Sequence, residues 1–546
     1  MNLLARCAVP VVSIIISLAA IFWHWYWVLV LSVPLALLGI YDWTQTQWTI
    51  TRNYPVLARI RWTFLKLRPF LRAYIVEDDI NGTPYSYEAR SLIRSRSRGE
   101  TDTHPFGTQY DTSAEEYHWL NHSIAAEANP DKSPRITVGH EQTSKPYNAS
   151  VFNISAMSFG ALSARAIEAL NIGAKLGGFY HDTGEGGVST YHTKHGGDLV
   201  WELGSGYFGA RDKNGNFDPE KFCDAASQES IKMTEIKLSQ GAKPGHGGLL
   251  PAKKVTEEIA RVRQVEAHKD CLSPRAHSAF HTPIEMLEFA AKMRDLSGGK
   301  PVGIKLCIGQ PHEIFAIVKA ILETEIYPEF IVIDGGEGGT GAAPLELSNW
   351  VGMPLIDGLI LARNALVGTG LRAKIRLVAS GKVYSGMGLA RNMALGADWC
   401  NAARAFMMSV GCIQAQRCNL GTCPTGVTTQ DAWRQRGLVP QVQGERAARF
   451  HSKTLESLSE LVAAAGFAHP QDLQPHHLMQ RVGTNNAMTV DRVHTFLPEG
   501  ILLEEPEGTI YRHWWEAAAA DSFHPNINLL ENRAKGKAKD LDKYLL

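Results

Sequence analysis

The chain has 546 residues, of which 45% are hydrophobic and 20% are charged, and this composition excludes a disordered chain. Its 55 Lys and Arg balance its 55 Asp and Glu, so the net charge gives no indication of nucleic acid or of an acidic partner. The eight cysteines are scattered, unlike a secreted disulfide framework, and we expect a reducing compartment for the soluble part.

The N-terminal segment, from Ala8 to Tyr41, contains no charged residue. One helix of this length would exceed the roughly 20 residues that cross a bilayer, and the aromatic run 23–27 is typical of a membrane–water interface. We therefore predict a transmembrane hairpin over residues 1–45, with helices at about 8–23 and 25–41. A signal peptide and a buried hairpin in an oligomer are the alternatives, and a single crossing also stays open.

A basic segment follows, with six Lys or Arg and no acidic residue between Trp43 and Arg72. Because positive charge favours the cytoplasmic side, we expect anchoring to the inner or plasma membrane, with the catalytic domain in the cytoplasm. Residues 46–135 are interpreted as a basic arm packing on the main domain. Within this arm, residues 54–65 predict an amphipathic helix that lies either on anionic lipid or on the main domain.

From about residue 150 to 410, short apolar runs alternate with helical stretches, which is typical of a parallel barrel or a doubly wound sheet, and we place this domain at residues 136–440. The predicted strands are Val151–Ser155, Gly178–Asp182, Leu199–Gly209, Glu235–Leu238, Val302–Cys307, Phe330–Asp334, Ile375–Ala379 and Trp399–Ala402. The predicted helices are Ser163–Leu176, Thr282–Leu296, His312–Glu323 and Gly386–Leu395. Residues 441–546 are predicted to be a helical extension, with helices at Ala447–Ala465 and Ala534–Leu546.

Three cysteines, Cys412, Cys418 and Cys423, have the spacing C-x5-C-x4-C and are followed by Pro424. Thiolates are soft ligands that suit iron–sulfur clusters, and a Cys-Pro ending is typical of cluster loops. Three ligands in one loop favour a three-iron cluster and predict an electron-transfer protein. A reduced structural trio of thiols is the alternative.

Several separate motifs resemble the synthase domain of glutamate synthase. They lie, in the family's order, at residues 154–187, 236–251, 334–344, 377–382 and 412–430, and the resemblance covers about residues 46–440. It implies an α/β fold, a (β/α)8 TIM barrel, with FMN and a [3Fe–4S] cluster as cofactors. It also implies reductive amination, the conversion of 2-iminoglutarate to L-glutamate.

The chain also departs from that family. It begins with Met1 and Asn2 rather than with the cysteine of a glutaminase domain, and about 100 residues follow the cysteine loop. FAD and nicotinamide domains are not visible in the sequence. The pattern resembles the shorter, membrane-associated glutamate-synthase-like proteins.

The resemblance and the barrel geometry imply the FMN contacts. The phosphate is expected at the loops after the last two strands, and the ring is expected over the barrel mouth. Lys305, inside an apolar strand, is expected near the pyrimidine edge, with a salt bridge at the rim as the alternative. The remaining predicted contacts are Ser155, Ala156, Met157, Ser158, Gln240, Gly338, Gly339, Thr340, Gly341, Gly381, Lys382, Ala403 and Arg404.

The same resemblance assigns the substrate site. Glu185 and Lys243 are the predicted catalytic residues, with the carboxylate near the reacting carbon and the ammonia. The predicted substrate contacts are Lys237, Gln240, Gly241, Lys243 and Arg263, the last for the distal carboxylate. The family's glutamine is replaced by Leu249, which leaves the identity of the keto acid open, and His246 is a second local difference.

The expected partners are 2-oxoglutarate or a similar keto acid, ammonia or an amine, a ferredoxin or reductase subunit as electron donor, and the lipid bilayer; nucleic acid is not expected. Two other functions stay open. One is a related synthase that uses another amine or keto acid. The other is a membrane-bound flavin and iron–sulfur electron relay without glutamate synthesis.

Overall fold

The computed structural model describes residues 8–139 and 141–527. These residues form two compact units, which divide between Glu88 and Ala89 inside the helix Tyr87–Arg98. The division falls within the predicted basic arm of residues 46–135. The predicted helix Ala534–Leu546 lies outside the described residues.

In the first unit, two apolar helices, Ala8–Phe22 and Tyr26–Thr44, lie where the sequence predicts a helical hairpin. The Ser17 hydroxyl donates a hydrogen bond to the Ser32 Oγ at 2.8 Å and so joins the two helices. The unit continues with the helices Thr49–Asn53 and Leu57–Leu71 and the π-helical turn Arg72–Val76.

The hairpin exposes large apolar side chains, with Leu18 exposed at 64% and Leu31 at 72%. By length and composition, Tyr26–Thr44 is the helix among the described residues that is able to cross a membrane. Ala8–Phe22 is apolar but has 15 residues, which is short for a bilayer. A hairpin that crosses the membrane therefore stays a prediction.

In the second unit, eight parallel strands close into a barrel. They are β1 (Phe152–Ile154), β2 (His181–Asp182), β3 (Leu199–Leu203), β4 (Ile231–Lys237), β5 (Val302–Leu306), β6 (Phe330–Asp334), β7 (Arg376–Ser380) and β8 (Trp399–Ala402). Neighbours pair in chain order, and Cys400 of β8 lies beside Phe152 of β1, which closes the ring. The predicted barrel is confirmed.

Two strands differ most from the predicted ones: β3 ends at Leu203 rather than at Gly209, and β4 begins at Ile231 rather than at Glu235. Ile231 and Met233 are fully buried, and the half-buried Lys232 stands between them. Because the half-buried Lys232 interrupts the apolar run, the sequence pattern does not predict the first half of this strand.

Helices follow the strands and cover the barrel. They are Ala164–Gly177 after β1, Thr190–Thr193 after β2, Pro219–Ala226 after β3, Glu257–Arg263 and Pro283–Leu296 after β4, Pro311–Thr324 after β5, Leu345–Trp350 and Leu355–Gly368 after β6, Gly386–Ala394 after β7, and Arg404–Ser409 after β8. Several begin at side-chain caps: the Ser163 Oγ accepts from the Ala166 amide at 3.2 Å, and the Thr282 Oγ accepts from the Glu285 amide at 3.1 Å.

After the cysteine loop, the helices Ala432–Gln435 and Pro440–Ala464 begin the C-terminal extension. The long helix packs closely on the first barrel helix, since a Cβ added at Gly173 would lie 2.6 Å from the Ala447 Cβ. Short helices follow at Pro470–Asp472, Pro475–His477, Val490–Val493, Ile501–Glu504, Pro506–Gly508 and Arg512–Ala517.

The extension also contains β structure, which corrects the prediction of a helical segment. The strands Leu478–Gly483 and Asn486–Thr489 form a three-stranded antiparallel sheet with His118–Leu120. Because that edge strand comes from a distant part of the chain, local periodicity does not reveal the sheet. Two smaller antiparallel pairs are Arg135–Val138 with Tyr147–Ser150, and Leu249–Leu250 with Cys271–Leu272.

Candidate functional site

A buried ion pair lies where β2 and β4 end. The Lys237 Nζ is 2.9 Å from the Glu185 Oε2, and the side chains are 10% and 17% exposed. Burial alone would raise the pKa of Glu185, but Lys237, together with Arg263 and Lys243, holds it at about 2. Glu185 is therefore a carboxylate throughout the neutral range, although its side chain is largely buried.

Glycines make room for this carboxylate. A Cβ added at Gly248 would lie 2.4 Å from the Glu185 Oε1, and one at Gly204 would lie 2.9 Å from the Glu185 Oε2. Gly184 has a φ of +65°, which a side chain rarely adopts, and its amide donates to the Asp182 Oδ1 at 2.9 Å. The turn after β2 therefore depends on glycine to aim Glu185 across the barrel mouth.

An open pocket surrounds the ion pair, and its empty space of about 330 Å³ includes open solvent. Gln240 and His246, which the sequence singled out, line it, and so does Arg275, which the sequence did not. The other lining residues are Ser205, Leu238, Ser239, Gly245, Gly247, Gly248 and Pro274. The arrangement offers an anionic ligand both charged and neutral hydrogen-bonding groups.

Two predicted substrate residues are buried beside the pocket rather than on its wall. The Lys243 Nζ donates to the Ala342 carbonyl at 3.3 Å, and burial, with help from Lys237, lowers its pKa despite the nearby Glu185. Arg263 is 4% exposed. Their substrate contacts stay predictions.

Leu249, the position of the missing glutamine, is also outside the residues that line the pocket. It is 38% exposed and pairs with Leu272 in a short antiparallel bridge. The apolar side chain therefore leaves the pocket wall unchanged.

A charged cluster fills the barrel interior below the pocket. The Lys305 Nζ lies 2.5 Å from the Glu202 Oε2 and 3.9 Å from the Glu235 Oε1. Lys305 is therefore ion-paired, but inside the barrel rather than at its rim, where the alternative prediction placed the salt bridge. The carboxylates of Asp182, Glu202 and Glu235 lie within 4.8 Å of one another, all buried. Burial, followed by the charge of Glu202, raises the pKa of Asp182 to about 7. The predicted contact of Lys305 with a flavin stays a prediction.

Two cations stand together after β7 and β8. Burial, followed by the nearby Arg404, lowers the pKa of Lys382. The Arg404 Nη2 donates to the Glu337 carbonyl at 2.8 Å, and a Cβ added at Gly339 would lie 2.7 Å from the Arg404 side chain. Because a phosphate would relieve the repulsion between the cations, these residues fit the phosphate of FMN. Gly381 and Ala403 are their neighbours in the same two loops.

The predicted ring contacts are held together by one carboxylate. The Asp334 side chain accepts from the Ser380 hydroxyl at 2.9 Å and from the Gly241 amide at 2.8 Å. The Ser380 Oγ lies 3.3 Å from the Ser155 Oγ. The loops after β1, β4, β6 and β7 therefore meet at one end of the barrel, and they carry Ala156, Met157, Ser158, Gly338 and Thr340 to that end.

The three cysteines adjoin this face. A Cβ added at Gly341, in the loop after β6, would lie 3.5 Å from the Cys418 Cβ. Burial raises the pKa of Cys412 to about 12, and the neighbouring Cys418 and Cys423 add to it. The cysteine loop is thus in contact with the predicted flavin loop.

The donor set of this loop fits an iron–sulfur cluster. Burial would raise the pKa of Cys423, but hydrogen bonds with Thr425 and Thr428 lower it to about 7, which favours the thiolate that iron binds. The charges of Cys418 and Cys423 also act on the ammonium of Lys254.

A family model described as the conserved region in glutamate synthase matches residues 87–468. The chain belongs to the glutamate synthase family. It is 34% identical over 529 residues to the glutamate synthase large subunit-like protein YerD of Bacillus subtilis, covering 89% of this chain and 99% of that protein. It is 31% identical over 313 residues to an archaeal-type glutamate synthase (NADPH) of Thermotoga maritima, covering 57% of this chain and 58% of that protein.

Membership of the glutamate synthase family makes the chain an oxidoreductase. Among solved structures, a lactate oxidase of Pediococcus acidilactici is similar with a TM-score of 0.42 and 11% identity, covering 76% of this chain and 88% of that chain. So distant a likeness adds nothing to the barrel topology given by the strand order.

Sequence reasoning missed Glu202, Glu235 and Arg275. The first two stand inside the apolar strands β3 and β4, and a charged residue within such a run is itself a signal of a buried ion pair. Arg275 follows Pro274 in a polar loop with no motif, and only the folded chain brings it to the pocket.

Proposed function

We propose that this member of the glutamate synthase family performs the reductive amination of 2-oxoglutarate, with 2-iminoglutarate reduced to L-glutamate. The observation that carries the proposal is the buried Glu185–Lys237 ion pair at an open pocket on the active-site face of the barrel. The ionised carboxylate of Glu185 would attract ammonium and would accept a hydrogen bond from the ammonia that adds to the keto carbon. The ammonium of Lys237 attracts the carboxylate next to the keto group.

FMN is the cofactor that the family and the site support. Lys382 and Arg404 would hold its phosphate, while the loops from Ser155 to Ser158 and from Gly338 to Gly341 would enclose its ring. When bound, FMN supplies the hydride that reduces the imine carbon. Glu185 and Lys237 orient the substrate. Lys243 is a buried lysine close enough to interact electrostatically with both.

Electrons would enter through a [3Fe–4S] cluster held by Cys412, Cys418 and Cys423. The contact of the cysteine loop with Gly341 supports this route, because it places the thiols against the predicted flavin loop. The donor would be a ferredoxin or a reductase subunit.

The N-terminal hairpin would anchor the protein to the inner or plasma membrane, with the barrel in the cytoplasm. The exposed apolar surface of Tyr26–Thr44 and the basic residues that follow it support this proposal.

The test is anaerobic reoxidation of the reduced full chain, purified in detergent with iron, sulfide and flavin quantified. We expect 2-oxoglutarate plus ammonium to reoxidise the flavin and to yield L-glutamate. Reoxidation by other amines or keto acids only would support a related synthase. Reoxidation by electron acceptors but by no keto acid would support an electron relay and contradict the proposal.

A further inference from the structure

One face of the helix Leu57–Leu71 is an exposed apolar stripe. Its residues are spaced alternately by three and four positions, so a helix of about 3.6 residues per turn places them side by side. The stripe consists of Leu57, Ile60, Phe64, Leu67 and Leu71, which are between 37% and 60% exposed. So much apolar surface on one helix face is costly in water and indicates a contact surface.

The opposite side of the helix packs against its own unit. Ala58 is buried, and the Trp62 Nε1 donates to the Thr51 Oγ1 at 3.2 Å. The Trp62 ring also lies against the Trp48 ring, with the two centroids 4.9 Å apart. These contacts fix the rotation of the helix, so the stripe points away from the residues on which the helix packs.

Two arginines flank the stripe. Arg61 and Arg68 each stand four positions after a stripe residue, Leu57 and Phe64, and therefore lie beside them on the helix surface. Both are exposed, and among the residues that the structure describes neither side chain has a hydrogen bond or an ion pair. The Arg61 guanidinium lies 5.7 Å from the centroid of the Trp62 ring. Both charges are therefore available to a ligand at the edge of the stripe.

The start of this helix is fastened to the end of the apolar hairpin. Asp42, in the last turn of Tyr26–Thr44, has a fully buried side chain. It accepts from the Val56 amide at 3.0 Å, from the Arg59 Nε at 2.8 Å and from the Arg59 Nη2 at 2.5 Å. The helix that is able to cross a membrane therefore ends beside the first turn of the striped helix.

The residues around this junction fit an anionic lipid surface. From Trp43 to Val76 the chain has six Lys or Arg and no acidic residue. Trp43 and Trp48, between the hairpin and the striped helix, are 57% and 53% exposed. Exposed tryptophans are typical of the membrane–water interface, and Lys and Arg clustered beside a membrane helix bind anionic headgroups. A bilayer surface is able to contact the stripe, the arginines and the tryptophans together.

We propose that the helix Leu57–Leu71 lies in the membrane surface, with its stripe among the acyl chains and with Arg61 and Arg68 on the phosphates of anionic lipids. The inference rests on the proposed anchoring by the hairpin, because Asp42 holds the striped helix at the end of that hairpin. An amphipathic helix in this position binds through buried apolar area and through charge. The contact of the helix should therefore depend on anionic lipid.

The test is hydrogen–deuterium exchange of the full chain in two kinds of nanodisc, one of phosphatidylcholine and one of equal parts phosphatidylcholine and phosphatidylglycerol. We expect the amides of residues 57–71 to exchange roughly tenfold more slowly in the anionic discs. Arg61→Gln combined with Arg68→Gln should remove most of this difference. Added salt should do the same in the unsubstituted protein, because salt screens charges at a surface. The barrel strand Val302–Leu306 should exchange equally in both discs and is the internal reference.

The matched control is Lys132→Gln combined with Lys213→Gln, which removes two exposed cations from the second unit. This control should keep the slower exchange of residues 57–71 in the anionic discs. If it loses the slower exchange as well, the net charge of the protein causes the effect and the roles of Arg61 and Arg68 are wrong. In phosphatidylcholine discs the arginine variant should exchange like the unsubstituted protein, which shows that its helix is formed.

The outcomes separate this inference from the anchoring on which it rests. If the full chain enters both discs and residues 57–71 exchange equally in them, the lipid contact of the striped helix is wrong while anchoring by the hairpin stands. If the full chain enters neither disc, the anchoring fails and the inference fails with it.

Discussion

At the scale of single residues, the site is organised by the balance between burial and neighbouring charge. Glu185 and Asp182 are three positions apart and both lie deep in the barrel mouth, yet their pKa values move in opposite directions. Glu185 faces the ammonium of Lys237, whereas Asp182 faces the carboxylate of Glu202. One carboxyl group is therefore fixed as an anion and the other keeps a proton near neutral pH.

The first prediction concerns Lys237→Met. Without the ammonium, burial raises the pKa of Glu185, so the carboxylate becomes protonated as the pH falls. We expect the ratio of kcat/KM for ammonium at pH 8 to that at pH 6 to rise about tenfold. In the unsubstituted protein the pKa of Glu185 is about 2, so protonation of this group should not lower kcat/KM between pH 8 and pH 6.

The control for this experiment is Lys253→Met, which removes an exposed lysine outside the pocket lining. Parallel pH profiles for Lys237→Met and the unsubstituted protein would show that the ion pair does not set the charge of Glu185.

The second prediction concerns Lys305→Met, which leaves three buried carboxylates without their cation. Breaking a buried pair in this way costs about 3–5 kcal/mol of unfolding free energy, measured by urea denaturation in detergent. Adding Glu202→Gln should restore part of it. Lys453→Met, in an exposed pair with Glu456, should leave the unfolding free energy nearly unchanged.

The loss from Lys305→Met also depends on pH. The pKa of Asp182 is raised to about 7 in the folded protein. Its protonation therefore stabilises the fold fully below the pKa of the unfolded chain, and this contribution is lost as the pH rises through 7. We therefore expect a larger loss at pH 8 than at pH 6. An equal loss at both values would mean that the cluster holds no titrating proton.

At the scale of elements, the loops at the ends of the strands carry the candidate site residues. Contacts between these loops fix the position of each site residue relative to the others. Gly241 shows this directly: its amide binds Asp334 of β6, and a Cβ at that position would lie 1.8 Å from the Gly335 carbonyl. The loops after β4 and β6 are therefore packed backbone to backbone, which only glycine allows.

The third prediction concerns the cysteine loop. Cys412→Ala, Cys418→Ala or Cys423→Ala should each remove most of the iron and acid-labile sulfide, because each thiolate would hold a different iron. The FMN content should stay at that of the unsubstituted protein, since the phosphate contacts lie in other loops. Iron, sulfide and flavin analyses after anaerobic purification measure this.

Cys223→Ala is the matched control, because Cys223 is a free thiol on the helix Pro219–Ala226, away from the loop. Unchanged iron in all three loop variants would contradict the cluster assignment.

At the scale of the whole molecule, the chain consists of two units with different surfaces. The first exposes large apolar side chains on its hairpin, while the second buries its apolar residues in one core inside and around the barrel. A surface of the first kind is costly in water and favourable in lipid.

The fourth prediction follows from this contrast. The full chain should sediment with membranes after a carbonate wash, and a variant lacking residues 1–45 should remain in the supernatant with its FMN bound. Leu18→Lys combined with Leu31→Lys, on the exposed hairpin faces, should weaken the association in the full chain. Sedimentation of the truncated variant with membranes would contradict anchoring by the hairpin.

The sequence by itself determined much of this protein. Strands such as Phe330–Asp334 and Trp399–Ala402 were predicted at their observed bounds, because a fully buried strand is a short apolar run between turn residues. The order of the separate motifs along the chain indicated the glutamate synthase family. For the strands, spacing along the chain is enough, since each depends on neighbours within a few residues.

Only the tertiary structure decided which charges meet. The partners of Lys305 come from two other strands, and the brace on Arg263 comes from a loop about a hundred residues away. The loop of Arg275 is tied to another loop by the hydrogen bond from Ser205 to the Pro274 carbonyl. Such contacts depend on barrel closure, in which strands distant in sequence become neighbours. For that reason a local pattern predicts candidate site residues but not the partners that set their charge.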